Sequence, residues 1–113
     1  MMRSLLRSII QNATVTHADS VSLRLDPLLL RAAELLPLEQ VEVVNVATGE
    51  RFTTFVEAAA EGSGEVRVHG HARVGDAISI LCWGFLHDGQ TLAHRAKVVT
   101  VDGKNKVVSL LES

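Results

Sequence analysis

The sequence predicts a mainly β protein, a mostly antiparallel or mixed β-barrel with one early helix. Glycines and acidic-glycine pairs divide the chain into short segments, and most of these segments are rich in Val, Ile or Thr. Several segments are apolar on both faces, which fits a barrel wall with one side in the core and the other against a second subunit. Only one stretch has its apolar residues at helical spacing.

The β segments are separated by turn-forming residues, such as the Asp-Gly pairs at 88–89 and 102–103. The predicted strands cover residues 5–16, 41–46, 52–58, 65–69, 77–85, 96–101 and 107–111. The helix is predicted over residues 28–36, because Asp26 can cap it and Pro27 suits its first position. Pro37 should end it.

Length and composition indicate one globular domain, residues 1–113, because the chain has 113 residues, of which 47% are apolar and 21% charged. The net charge is −2 without a basic cluster, so neither nucleic acid nor a membrane surface is an expected partner. Cys82 is the single cysteine, so the sequence excludes an internal disulfide and a cysteine-cluster metal site. We predict that Cys82 is a buried small apolar residue. No apolar run approaches the length of a membrane span and the start does not read as a signal peptide, so we expect a cytoplasmic protein.

Several motifs in the first three quarters of the chain match a known family. Residues 1–6 read Met-Met-Arg-Ser-Leu-Leu and residues 13–19 read Ala-Thr-Val-Thr-His-Ala-Asp. A Leu-Asp pair at 25–26 precedes the helix with its Ala-Ala pair, and residues 45–55 read Asn-Val-Ala-Thr-Gly-Glu-Arg-Phe-Thr-Thr-Phe. Over roughly residues 1–85 the sequence resembles the pyruvoyl-dependent aspartate 1-decarboxylases. The resemblance implies a six-stranded double-psi β-barrel, a homotetramer with active sites between subunits, and a small carboxylate-bearing substrate.

The cleavage site of that family is altered in this sequence. Family members cut their own chain at Gly-Ser and convert the serine to a pyruvoyl group, which serves as an electron sink. Here the segment between Asp19 and Asp26 is about three residues shorter, and alignment places Ser22 at the serine with Val21 in place of the glycine. A β-branched valine resists the strained turn that glycine allows. We therefore predict that the chain is not processed and has no cofactor, with a pyruvoyl group arising from Ser22 only if processing occurs.

Other pocket positions of the family have also diverged. Ile9 stands where the family has a lysine, Phe55 replaces a tyrosine, and the tyrosine before the cleavage site has no counterpart because the chain contains no Tyr. Arg51 and Thr54 are retained. By resemblance the arginine holds a substrate carboxylate, which its planar fork suits, and the threonine assists processing and binding.

A histidine pair is the other candidate for chemistry. The run His69-Gly-His71-Ala72 replaces Asn-Gly-Ala-Ala of the family. Strand alternation would place both imidazoles on one face, where they could act as an acid/base pair or, with a third donor such as His17, bind a metal. No motif supplies that third ligand, so no metal is predicted; solvated edge-strand histidines are the alternative.

Three functions remain open from the sequence. The first is a repurposed enzyme that binds a small carboxylate-bearing molecule through Arg51, Thr54, Phe55, Ala72 and Ile9 and uses His69 or His71 for acid/base chemistry without a pyruvoyl group. The second is a working amino-acid α-decarboxylase processed at the Val21–Ser22 bond. The third is a non-catalytic homologue that binds a small molecule or assembles with another protein.

Overall fold

The computed structural model describes all 113 residues and confirms the mainly β prediction. Eight strands accompany one α-helix and one 3-10 helix. In chain order they are β1 (Met2–Thr14), β2 (Asp19–Leu25), α1 (Pro27–Ala32), β3 (Gln40–Asn45), β4 (Arg51–Ala58), β5 (Val66–His69), β6 (Ala77–His87), the 3-10 helix (Asp88–Ala93), β7 (Lys97–Val101) and β8 (Val107–Glu112). Neither helix combines the length and the apolar character that crossing a membrane requires.

The strands form one mixed sheet in the order β5-β2-β4-β3-β6-β1-β7-β8. The pairs β1–β7 and β2–β4 are parallel, and all other pairs are antiparallel. Parallel pairs need crossover connections, since a tight hairpin can only join antiparallel strands. The path between β2 and β4 therefore runs through α1 and β3.

Backbone hydrogen bonds beyond the end of β1 close the sheet into a barrel. The Thr16 amide donates to the Val66 carbonyl and the Val68 amide donates to the His17 carbonyl, each at 2.9 Å. These bonds join the continuation of β1 to β5, so β1 to β6 form a closed ring of six strands. This agrees with the six-stranded barrel that the resemblance implies, and the β7–β8 hairpin is added outside it along β1.

Alternate residues of the strands fill the barrel. In β3, Val41 and Val43 are buried while their neighbours Gln40 and Glu42 reach the surface. The same alternation places Ile78, Ile80 and Cys82 of β6 in the core. The period of two that predicted these strands is thus the alternation between the barrel interior and its outer face.

The predicted helix is shorter in the structure, so its expected end at Leu36 is wrong. The helix ends at Ala32, and Glu34 has a φ of 56°. This left-handed residue redirects the chain so that Leu35 enters the core instead of continuing a helical turn. The Leu35 amide still bonds the Leu30 carbonyl at 2.8 Å, which anchors the redirected segment. Packing into the barrel has overridden local helix preference here.

The buried carboxylate of Asp26 joins the helix to the turn before β5. It accepts hydrogen bonds from the backbone amides of Leu28, Gly62 and Gly64 at 2.9, 3.0 and 2.9 Å. Burial disfavours its charge, but these three donors and nearby Lys106 outweigh that cost and hold the Asp26 pKa below its usual value. The predicted N-cap of α1 is confirmed, and the same side chain fixes a second segment that the sequence did not link to it.

Candidate functional site

A cavity of about 120 Å³ opens between β2, β4 and the end of β5. Four of the predicted site residues lie around it: Ser22, Thr54, His69 and His71. The remaining lining residues are Val21, Leu23, Phe52, Thr53 and Val68. The structure therefore gathers two hydroxyls and two imidazoles at one small, partly apolar hollow.

Ser22 is fixed by hydrogen bonds inside β2. The residue is 1% exposed, and its hydroxyl donates to Oε2 of Glu57 at 2.9 Å. Its backbone amide donates to the Ser20 hydroxyl at 3.2 Å. Glu57 was not predicted as a site residue from the sequence. Its approach to Ser22 depends on the parallel β2–β4 register, in which Arg24 lies opposite Glu57.

The strand around Ser22 is irregular on the side of β5. Asp19 pairs with His69 and Arg24 pairs with Arg67, so five residue steps of β2 span two steps of β5. Within this bulge Ser20 and Ser22 remain buried, whereas Val21 is 81% exposed. A strand was not predicted for this segment, although its polar and apolar residues alternate from Ser20 to Leu25, a period of two that is typical of a strand.

The two histidines lie at the cavity for a different reason from the one predicted. β5 ends at His69, and His71 follows Gly70 in a turn where both residues have positive φ. The expectation that strand alternation puts the imidazoles on one face is therefore wrong, because only His69 is in the strand. The turn brings the second ring back to the cavity wall.

His71 is held by its neighbours. Its Nδ1 lies 3.1 Å from Oε1 of Glu50, and its ring stacks on Phe52 with centroids 4.8 Å apart and an angle of 25° between planes. Its backbone carbonyl accepts a hydrogen bond from the side-chain amide of the buried Asn45 at 3.3 Å. These partners come from the end of β3, the following turn and the start of β4, and their contacts with His71 are not visible from the sequence.

The other predicted site residues lie away from the cavity. The Arg51 side chain is 58% exposed and its Nη2 lies 3.9 Å from Oε1 of Glu42, on the outer face of the barrel. Phe55 lines a separate shallow hollow, and Ile9 lies opposite Leu81 on the neighbouring strand. Ala72 is buried and lines a polar hollow on the far side of His71.

Cys82 is buried, as predicted, and lies beside a charged pair. The guanidinium of Arg7 forms an ion pair with Glu39 and donates to the Cys82 Sγ at 2.9 Å. Burial raises the pKa of the Cys82 thiol, although Arg7 acts in the opposite direction. The thiol therefore has little thiolate character. Across the chain no group of three or more His, Cys, Asp or Glu side chains is arranged to hold a metal ion.

Comparison with known proteins identifies the family. A family model described as "Aspartate decarboxylase" matches residues 1–108. The chain belongs to the aspartate decarboxylase family. The aspartate 1-decarboxylase of Bordetella pertussis is 40% identical over 95% of this chain and 93% of its own length. That of Methylibium petroleiphilum is 38% identical over 97% and 98%, and that of Pelotomaculum thermopropionicum is 37% identical over 97% and 89%.

Among solved structures, the computationally designed msDPBB_sym2 protein is similar to this chain. The alignment covers 69% of this chain and 96% of the designed chain, with a TM-score of 0.47 and 21% sequence identity.

Proposed function

We propose that this aspartate decarboxylase homologue stays unprocessed and acts, without a pyruvoyl group, on a small carboxylate-bearing molecule in the cavity beside Ser22. The observation that carries the proposal is the setting of Ser22, which lies inside a strand, follows a valine and donates its hydroxyl to Glu57. We infer catalysis from the imidazoles at the same cavity.

The surroundings of Ser22 do not fit formation of a pyruvoyl group. Self-cleavage needs the serine hydroxyl to approach the preceding carbonyl carbon in a strained backbone. Neither Val21 nor Ser22 has a positive φ, and both belong to β2. The hydroxyl is directed to the Glu57 carboxylate. Cleavage would require the Ser22 hydroxyl to give up its charge-assisted hydrogen bond to Glu57.

The cavity is suited to a small, polar ligand. A volume of about 120 Å³ is well below that of pockets for drug-sized ligands, which begin at about 300 Å³. The Thr54 hydroxyl can donate a hydrogen bond to a carboxylate, and a protonated His69 or His71 can add charge. An imidazole that is neutral can instead accept a proton from the ligand.

Arg51 reaches the cavity, in this proposal, from a second copy of the chain. The guanidinium is largely exposed on the outer face and its one carboxylate neighbour, Glu42, is at the long distance of 3.9 Å. The exposed apolar side chains Trp83 and Phe85 line a surface hollow together with Glu42, the carboxylate neighbour of Arg51. A homotetramer, as the family resemblance implies, would cover them and complete the carboxylate site.

A second candidate function is a working decarboxylase processed at the Val21–Ser22 bond. It is favoured by the names of the relatives and by the Glu57 carboxylate, which could accept the proton of an attacking Ser22 hydroxyl. A third is a binding or assembly protein without catalysis, for which the same cavity would serve.

Intact-mass spectrometry of the purified protein separates the first two candidates. We expect one species at the full-chain mass of 12.2 kDa, indistinguishable in processing from a Ser22→Ala control. Fragments corresponding to residues 1–21 and 22–113, with the second blocked by a pyruvoyl group, would contradict the proposal. Their loss in the Ser22→Ala variant would assign the cleavage to the serine.

Calorimetric titration with aspartate and other small dicarboxylates tests the cavity. We expect His69→Ala and Arg51→Ala each to weaken binding by about tenfold or more, the effect of losing one charged hydrogen bond. Arg31→Ala is a matched control, because that arginine is exposed and pairs with Glu61 away from the cavity. Equal binding in all variants would refute the assignment. NMR of the incubated ligand then distinguishes turnover from binding alone.

A further inference from the structure

We infer that Glu50 is a positioning residue that fixes the tautomer of His71, so that Nδ1 carries the proton and Nε2 is the acid/base atom of the cavity. The catalytic meaning of this arrangement rests on the proposed function, whereas the tautomer itself does not.

The hydrogen bond between the two side chains determines which nitrogen is protonated. A carboxylate has no proton to donate, so the His71 Nδ1 at 3.1 Å from the Glu50 oxygen must be the donor when the imidazole is neutral. Nε2 is then the unprotonated nitrogen, free to accept a proton. Free histidine favours the opposite tautomer, so Glu50 imposes a distinctive state.

Glu50 is itself held in place by the turn between β3 and β4. Its backbone amide donates to the Thr48 hydroxyl at 3.1 Å, and its backbone carbonyl accepts from the backbone amide of Asn45 at 2.8 Å. The carboxylate lies in the hollow on the far side of His71, and Glu50 does not line the cavity. The imidazole lines both spaces and therefore forms part of the wall between them.

The backbone of His71 also indicates a constrained position. Its φ of 29° is unfavourable for a residue with a side chain, at a cost of about 1–3 kcal/mol, and such residues persist where surrounding contacts overdetermine them. Here the contacts are the stacking of the ring on Phe52, the hydrogen bond to Glu50 and the hydrogen bond from the Asn45 side-chain amide to the His71 carbonyl. His69 has no side-chain hydrogen bond in the structure, so only one of the two imidazoles is oriented.

Long-range proton–nitrogen NMR of the ¹⁵N-labelled full chain tests the inference. Spectra are recorded at about pH 8, where histidine side chains are ordinarily neutral, and the His71 signals are assigned with His71→Ala. We expect His71 to be mainly the Nδ1–H tautomer, and to shift toward the Nε2–H tautomer in Glu50→Ala. The matched control Glu61→Ala removes the same charge from an exposed site and should leave the tautomer unchanged.

An Nε2–H tautomer of His71 in the wild type would overturn the inference. So would an Nδ1–H tautomer that persists in Glu50→Ala, provided that the amide spectrum shows the variant to be folded. A failure of dicarboxylates to bind would instead refute the proposed function and leave the tautomer result standing. The two ideas therefore fail in different experiments.

Discussion

Replacing Asp26 with alanine should destabilise the barrel more than any exposed charge change. Alanine leaves the amides of Leu28, Gly62 and Gly64 without their acceptor in a buried site. Hydrogen bonds to a charged group contribute about 1.5–3 kcal/mol each, and water entering the space left by the carboxylate would recover a part. We expect a loss of about 3–5 kcal/mol, a large share of the roughly 5–15 kcal/mol that stabilises a typical domain.

Asp26→Asn separates the charge from the shape of the side chain. Its amide oxygen still accepts at one position, but its NH2 group would face a backbone donor, so we expect a loss of about 2–3 kcal/mol. Asp88→Ala is the control, because Asp88 is exposed and its ion pair with Arg3 should contribute about 1 kcal/mol or less. Urea denaturation at a fixed protein concentration, followed by circular dichroism, gives the free energies of unfolding.

The pH dependence of these variants has a defined sign. The Asp26 pKa is lowered in the folded state, so its stabilisation is present above the ordinary aspartate value of 3.8 and is lost as the pH falls through the folded value. The gap in unfolding free energy between wild type and Asp26→Asn should therefore shrink from about pH 5 downward. A loss below about 1 kcal/mol for Asp26→Ala at neutral pH, or a gap that widens on acidification, would refute the reasoning.

Three further predictions follow from the packing and the chain conformation. Gly64→Ala should lower the free energy of unfolding by about 2–4 kcal/mol in urea denaturation, because an added Cβ would lie 2.5 Å from the Lys104 carbonyl oxygen. The control Gly62→Ala has a similarly positive φ but open space around it, and should lower the free energy of unfolding by only about 1 kcal/mol. Equal losses in the two variants would exclude the clash. The buried Cys82 thiol should react with Ellman's reagent at least about tenfold more slowly in the native state than in urea, and comparable rates would contradict its burial. Val21→Gly should still give a single full-length mass, since the serine hydroxyl keeps its carboxylate partner; cleavage of this variant would show that the valine alone blocks processing.

The strands of the barrel were predictable from sequence because their signal is local. Apolar residues alternate along β3 and β6, and glycine turns separate the segments, so the mainly β class and most strands are confirmed. The end of α1 was not predictable, because Glu34 adopts a left-handed conformation only to place Leu35 in the core. Strand β2 has the same alternation and could have been predicted, but its bulge could not, because the bulge arises from its register with β5.

The candidate site was only partly predictable for the same reason. Motif comparison found Ser22 and His71, but their carboxylate partners Glu57 and Glu50 lie 35 and 21 residues away along the chain. Both partnerships depend on how the strands and turns are arranged in space, which a single sequence does not specify. Arg51 was assigned by its motif, and the motif does not tell on which face of the barrel its guanidinium lies.

The bulge in β2 makes this segment a natural place for insertions and deletions. Its ends are anchored, with Asp19 opposite His69 and residues 23–25 paired with β4, while the residues between have no fixed register with β5. The chain can therefore gain or lose several residues there without moving any other strand. A protein engineer could insert a longer segment at the exposed Val21 and change the chemistry of the neighbouring cavity while leaving the apolar core untouched.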